Sequence, residues 1–321
     1  MAYKFGADES VRHAILRTGR EELDRAISEL SEGINQDPAP AIHAARKAIK
    51  KERSLLRLTR GAISPKQRRR ENARLREAAR SLSDARDAEV MITSVKQLSE
   101  RFVGQVPATT FDALTEHLES RKAVHNGRRG ASGMDMRAVQ ELGAVRLRVD
   151  DWELRKGGWK ALESGLVRSY KRGQQALADA RASRDSEDLH AWRKRVKDLW
   201  YHERLLAPTC GPTARGQVKE LHRVSDLLGD DHDLGLLRRE LTHDAPAIAV
   251  DLAAIVKLID HRRDELQAEA LKMGRRVYAE TPKAFRRRMR ASWKAGRALA
   301  RAPRDQHPAE LAAAIREPGS A

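Results

Sequence analysis

Several kinds of residue are scarce in this chain of 321 residues, and each scarcity excludes a class of protein. The one cysteine, Cys210, can form neither an intramolecular disulfide nor a cysteine-based zinc site, which fits the reducing conditions of the cytosol. Aromatic residues make up only 4% of the chain, and there are 20 glycines and 11 prolines. Because the apolar residues are largely Ala, Leu, Val and Ile, the composition predicts an all-α fold rather than a β-sandwich or barrel.

Long apolar segments are also missing. The longest, 247–256, contains Asp251 and is much shorter than the ~20 residues that a helix needs to cross a bilayer. The first ten residues include Asp8 and Glu9 and lack the apolar centre of a signal peptide. We therefore expect a cytoplasmic protein without a transmembrane segment.

Positive charge, in contrast, is abundant. Lysine and arginine total 63 against 46 aspartates and glutamates, which gives a formal net charge of +17 and an isoelectric point near 10.3. A chain with this balance attracts polyanions at neutral pH, so acidic partners are the first class of ligand to consider.

The sequence contains an internal repeat. His-Ala-Ala-Arg-Lys-Ala-Ile-Lys at 43–50 returns 147 positions later as His-Ala-Trp-Arg-Lys-Arg-Val-Lys at 190–197. The segment 82–87 returns at almost the same offset as 228–233. Because helical periodicity is present almost everywhere, we interpret the repeat as a tandem duplication that forms two pseudo-symmetric four-helix bundles, with about four helices in each half.

A glycine-rich basic segment, 127–133, is the best candidate for the connection between the halves. The predicted organisation is a single domain over 6–301, followed by a flexible tail at 302–321. The domain consists of a first bundle at 6–126, a linker at 127–137 and a second bundle at 138–301.

The first repeated block carries a stripe of cations. At about 100° per residue, one arc of roughly 80° holds five side chains, namely His43, Arg46, Lys50, Arg53 and Arg57. The opposite face is apolar except for Glu52, which we expect to pair with a basic group of a neighbouring helix. Window 41–60 has seven basic residues and one acid, whereas a solvated helix face usually mixes both signs. This density of like charge indicates a bound anion.

The second block has the same arrangement. Its polar side consists of His190, Arg193, Lys197, Tyr201 and Arg204, and its other side is apolar. Successive members of each stripe are about 5 Å apart along the helix axis, so each stripe is a row of hydrogen-bond donors. Such a row suits a linear polyanion better than a single phosphate.

These blocks resemble the CHAD family, helical domains named for their histidines. The resemblance covers about 6–301 and rests on two doubled motifs: His43-x-x-Arg46-x-x-x-Lys50 with Arg86-Asp87, and His190-x-x-Arg193-x-x-x-Lys197 with His232-Asp233. It implies two bundles that bind inorganic polyphosphate in a basic groove between them, without catalysis and without a cofactor, and in some members on polyphosphate or storage granules. Two departures are Ser83, where the family prefers the glycine found at Gly229, and His232 in place of an arginine.

The resemblance also implies which residues line that groove. They are His43, Arg46, Lys50, His190, Arg193 and Lys197, together with Arg17, Arg20, Lys171 and Arg172 from the first helix of each half. We expect Asp87 and Asp233 to hold groove arginines in position through charge-assisted hydrogen bonds.

Other functions remain as alternatives. General nucleic-acid binding is disfavoured because the stripes have few aromatic residues for base stacking. A metal-dependent phosphohydrolase is disfavoured because neighbouring residues of the run 230–233 point in different directions on a helix, and the matching half has no nearby histidine. Catalysis by His43 or His190 would need a nucleophile or carboxylate partner in the stripe, where the neighbours are arginine and lysine. The basic stretch 275–304, with 11 basic residues and one acid, either extends the polyanion track or tethers the protein to a membrane or granule.

Overall fold

The computed structural model describes residues 3–82, 87–129, 134–243 and 250–302, and within these ranges it is helical without any strand. The prediction of an all-α fold is confirmed. The helices are α1 (Val11–Ser31), α2 (Pro38–Leu58), α3 (Pro65–Ser81), α4 (Asp87–Arg101), α5 (Ala108–Arg129), α6 (Met134–Arg146), α7 (Gly158–Ser183), α8 (Ser186–Cys210), α9 (Pro212–His243), α10 (Leu252–Val277) and α11 (Pro282–Arg301). None of the helices in these ranges is both long enough and apolar enough to cross a membrane.

The two helices that carry the repeated motifs start at polar caps. The side chain of Asp37 accepts a hydrogen bond from the amide of Ala39, and Pro38 occupies the first turn of α2. Asp185 accepts a hydrogen bond from the amide of Asp188 at 2.8 Å at the start of α8. These caps fix where each stripe begins.

The helix order repeats along the chain. Helices α7, α8, α9, α10 and α11 begin about 147 residues after α1, α2, α3, α5 and α6 respectively. Helix α4 has no separate counterpart, because α9 runs unbroken for 32 residues where the first half is divided between α3 and α4. The prediction of about four helices in each half is therefore too low.

The helices form two packed groups. Helices α1, α2, α3 and α6 form one ring of neighbours, and α7, α8, α9 and α10 form another. Helices α4 and α5 pack together, and α4 also contacts α9. The sequence predicts that the second bundle starts at residue 138, which lies in α6. Helix α6 instead packs on α1 and α3, so the chain passes to the second group only after α6.

Two predicted segments lie partly outside the described residues. The predicted linker 127–137 includes the end of α5, the start of α6 and residues 130–133, which are outside them. The predicted tail 302–321 is outside them apart from Ala302.

Helix α11 packs on α7 and α8 through its apolar side. Phe285, Met289 and Trp293 are buried there, and Phe285 stacks on Tyr170 with 4.0 Å between ring centroids. The apolar face that a membrane tether would insert is therefore already covered by the protein.

The two groups meet where α2 packs on α7 and α8. Contact is close at Gly165, where a Cβ atom would lie 1.9 Å from the carbonyl oxygen of Leu58. The buried ring of His202 contacts the carbonyl oxygen of Ser54 through Nε2 at 2.9 Å. Burial lowers the pKa of His202 to about 4, so the neutral ring donates from Nε2 to this carbonyl.

The apolar faces predicted for α2 and α8 are buried in a core that extends through both groups. The buried positions are Ile42, Ala45, Ala48, Ile49, Leu55, Leu56, Leu189, Trp192, Val196, Leu199 and Leu206. Burial of these faces leaves the opposite, cationic sides of the two helices available to a ligand.

The expectation that Glu52 forms an ion pair is wrong. Its side chain is fully buried, and neither carboxylate oxygen has a hydrogen-bond partner among the described residues. Burial, followed by the nearby Glu22 and Glu71, raises the pKa of Glu52 to about 8, so its carboxyl is mainly protonated at pH 7. The adjacent Lys51 takes the available partner and pairs with Glu22 at 2.7 Å.

Candidate polyanion-binding groove

A groove of about 520 Å³, here called the central groove, lies between α2 and α8 and is completed by α4 and α9. It is lined by Arg46, Lys50, Arg53, Arg57, Val90, His190, Arg193, Lys194, Arg195, Lys197, Asp198, Tyr201, His232, Asp233 and Leu236. Eight of these residues are lysine or arginine, and two are aspartate. The groove is therefore strongly positive where the two groups of helices meet.

Both predicted stripes contribute to this groove. Helix α2 supplies four of the predicted cations, and α8 supplies His190, Arg193 and Lys197. His43 lies just outside, in an adjoining cavity of about 450 Å³ that shares Arg46 and Asp233 with the groove. The structure thus brings together residues that are about 150 positions apart in the sequence.

Arg46 and Arg193 take comparable positions in the two halves. Arg46 donates from Nη1 to the carbonyl oxygens of Leu82 at 2.5 Å and Ala79 at 3.4 Å, at the end of α3. Arg193 lies against α9 at Gly229, where a Cβ atom would be 3.2 Å from its Nη2. The glycine at position 229 thus leaves room for the guanidinium group.

The carboxylate Asp198 joins two arginines at one end of the groove. Arg57 and Arg195 each approach it at 3.2 Å. Asp233 also lines the groove, whereas the side chain of Asp87 is outside the described part of the chain. That Asp233 positions an arginine stays a prediction.

His190 and His232 stack on each other in the groove, with 4.1 Å between their ring centroids and 22° between the ring planes. Burial, then Lys194 and Arg193, lowers the pKa of His190 to about 4. Burial, then His190 and the neighbouring arginines and lysine, lowers the pKa of His232 to about 4. Both rings are therefore neutral at pH 7 in the free protein, and an anion close to them would favour their protonation.

Three predicted groove residues lie elsewhere. Arg17 forms ion pairs with Glu9 at 2.7 Å and with Glu21 at 3.1 Å. Arg20 pairs with Asp150 at 2.7 Å. The guanidinium carbon of Arg204 is 5.5 Å from the ring centroid of Trp200. The structure does not place these arginines in the central groove.

Lys171 and Arg172 line a different cavity of about 790 Å³, here called the side cavity. Its walls come from the segment just after α2, the segment before α7, α7 itself and α11. They consist of Arg60, Lys156, Lys160, Glu163, Ser164, Val167, Arg168, Lys171, Arg172 and Arg286. The two predicted cations therefore do not line the central groove itself.

Sequence reasoning assigned no groove role to Lys194, Arg195, Asp198 or His232. Lys194 follows His190 by four residues, so helical periodicity is a signal that finds it. The position of His232 depends on how α9 packs against α8, and nothing in the local sequence reveals that contact.

The side chains of residues 230–233 point in different directions, as expected for consecutive residues on a helix. Asp231 is buried and accepts hydrogen bonds from Arg263 at 3.0 Å and Gln267 at 2.8 Å. His232 and Asp233 line the central groove, while Asp230 lines the adjoining cavity.

The fold and this groove define an all-α protein with a basic groove, and the lysines and arginines that line the groove come from two repeated helices. A family model described as the CHAD domain matches residues 15–242, and the chain belongs to this family. Its fold is similar to the crystal structure of the CHAD domain from the plant Ricinus communis, with a TM-score of 0.54 and 20% sequence identity. That similarity covers 91% of this chain and 95% of the plant chain. A comparison with curated proteins found no match.

Proposed function

We propose that this protein binds inorganic polyphosphate in the central groove and that it does so as a binding module without catalysis. The observation that carries the proposal is the composition of the groove, where eight lysines and arginines and two histidines stand against two carboxylates. Concentrating so many cations is unfavourable in the free protein and favourable once a polyanion neutralises them. Membership of the CHAD family supports the same ligand.

The shape of the groove favours a chain of phosphates over a single one. The cations of α2 follow one another by three or four residues, so their side chains are spaced along the helix axis. A linear polyanion contacts several of them at once and releases several counterions, which gives high affinity at low salt.

The lining favours polyphosphate over nucleic acid as the ligand. Apart from the two stacked histidines, Tyr201 is the only aromatic side chain among the described residues that line the groove. Single-stranded nucleic acids are usually held by several aromatic rings that stack on successive bases. The groove instead offers donors, which suit a bare phosphate chain.

The non-catalytic part of the proposal is tested by incubation of the protein with long-chain polyphosphate and either Mg²⁺ or Mn²⁺. We expect binding, measured by a gel-shift or fluorescence titration, without release of orthophosphate above the rate in protein-free buffer. Release that disappears in the variant His190→Gln/His232→Gln would contradict the proposal and indicate a phosphohydrolase. We also expect the protein in the cytoplasm and at polyphosphate granules. Fluorescence microscopy of a tagged protein tests this localisation.

Affinity for polyphosphate should rise as pH falls from 8 to 5.5. The free protein holds His190 and His232 neutral, with pKa values of about 4, and a bound polyanion raises both pKa values. Protons are therefore taken up on binding. For each proton taken up, the affinity rises by at most about tenfold when the pH falls by one unit. The measurement is the dissociation constant for long-chain polyphosphate at several pH values and constant ionic strength.

The control for this pH dependence is the exposed His43, which lies outside the central groove. The variant His190→Gln/His232→Gln should lose most of the dependence, whereas His43→Gln should keep it. An affinity of the unmodified protein that is constant from pH 5.5 to 8 would show that the stacked histidines do not titrate with binding.

A further inference from the structure

The side cavity has the same charge character as the central groove. Seven of its lining residues are lysine or arginine, and the one acidic residue, Glu163, is 3.5 Å from Arg286. Its cations come from four parts of the chain, so the local sequence does not show them as a cluster. The positive surface exists only because the fold brings these parts together.

Carboxylates leave most of this charge unneutralised. Elsewhere on the protein, surface arginines commonly face an acid, as Arg238 faces Asp260 at 2.7 Å. Arg168, Lys171 and Arg172 are exposed, and none of them forms an ion pair with a carboxylate in the ranges that the structure describes. Three adjacent cations that form no such ion pair are unfavourable in the absence of a ligand.

Burial and the crowding of cations lower the pKa of two arginines that line the side cavity. Burial, then Arg195 and Arg168, lowers the pKa of Arg172, and burial, then Arg168, lowers the pKa of Arg60. A ligand that brings negative charge would relieve this repulsion.

The side cavity continues from one end of the central groove. Arg57 and Arg195 belong to the groove, and both are close enough to act electrostatically on Arg172 of the side cavity. Close packing of α7 on the end of α2 at Gly165 brings the two cavities onto neighbouring surfaces. Positive charge is therefore continuous from the groove to Arg286 of α11.

We propose that the side cavity is a second binding segment for the same polyphosphate chain, so that a long chain leaves the central groove past Arg57 and continues over α7 to α11. This inference rests on the proposed function, because the groove must hold the first part of the chain. It gives the protein a preference for chains long enough to occupy both sites. It also assigns part of the basic stretch 275–304 to the polyanion track.

The test compares long-chain polyphosphate with tripolyphosphate as ligands. The triple variant Arg168→Gln/Lys171→Gln/Arg172→Gln should bind the long chain about tenfold or more weakly at physiological salt, since it removes three phosphate contacts. Its affinity for tripolyphosphate should stay within about twofold, since the central groove is intact. The slope of log affinity against log salt should also become shallower for the long chain only.

The matched control is Lys219→Gln/Lys257→Gln/Lys272→Gln, which removes the same charge from exposed positions of α9 and α10. Equal weakening by both triple variants, equal weakening for both ligands, or no weakening at all would overturn the second segment and leave the central groove as the site. If the unmodified protein binds neither ligand, the proposed function itself fails. Circular dichroism of each variant checks that its helices are retained.

Discussion

The double substitution Lys50→Gln/Lys197→Gln is expected to weaken binding of long-chain polyphosphate by about a hundredfold at physiological salt. Each lysine belongs to one of the two stripes and lines the central groove. A hydrogen bond to a charged group contributes about 1.5 kcal/mol or more, which is roughly tenfold in affinity for each lost contact. The measurement is a binding titration at several salt concentrations, in which the variant should also show a shallower dependence on salt.

Substitution of the groove arginine Arg46 would also remove a structural contact. Arg46 donates to the carbonyl oxygens at the end of α3, so Arg46→Ala combines loss of binding with a lower free energy of unfolding. The control variant Lys257→Gln/Lys272→Gln removes two charges from α10 and should bind nearly as well as the unmodified protein. Similar affinities of the two double variants would contradict the assignment of the groove as the binding site.

The second large expected effect is on the pH dependence of stability, and it comes from two buried carboxyl groups. Glu52 and Glu203 are fully buried, and their carboxylate oxygens lack hydrogen-bond partners in the described part of the chain. Burial is the main cause that raises the pKa of each to about 8 in the folded protein, well above the 4.5 of an ordinary glutamate. Between pH 4.5 and pH 8, these two carboxyls keep their protons in the folded protein but lose them in the unfolded chain.

Stability should therefore fall as pH rises from 4.5 through 8, because unfolding releases protons in this range. Below about pH 6.5 the histidines with lowered pKa values, His190, His202 and His232, act in the opposite direction, so the carboxyls are best observed from pH 7 to 8.5. In this window each carboxyl should lower the free energy of unfolding by roughly 1 kcal/mol.

Urea unfolding of the unmodified protein and of Glu52→Gln/Glu203→Gln at pH 7 and pH 8.5 tests this expectation. The variant should lose much less stability between the two pH values, because glutamine does not titrate. A stability of the unmodified protein that is constant over this range would show that the two carboxyls are ionised or hydrated in the folded state.

The sequence predicts the helices of this protein well because their periodicity is local. The apolar faces of α2 and α8 follow directly from residue spacing, and burial of those faces explains why the cationic sides reach the junction. The repeat at an offset of 147 then indicates that His190, Arg193 and Lys197 correspond to the stripe of α2.

Predictions that depend on contacts outside the residue's own helix are less accurate. Arg17 and Arg20 lie on a correctly predicted helix, but the sequence does not show that Glu9 and Asp150 pair with them in the fold. The same reason applies to Glu52, whose buried surroundings provide no basic partner among the described residues. The side cavity is not evident from the sequence as a unit, because its cations come from the segment after α2, the segment before α7, α7 itself and α11.

The most direct test of the central claim is a competition assay at physiological salt. Labelled long-chain polyphosphate is bound to the purified protein and challenged with unlabelled polyphosphate, duplex DNA, RNA, ATP and tripolyphosphate at equal phosphate concentration. A groove that recognises a bare phosphate chain predicts strong competition by polyphosphate and weak competition by the other ligands. Equal competition by DNA or RNA would contradict the account and indicate a general cationic surface that binds nucleic acids.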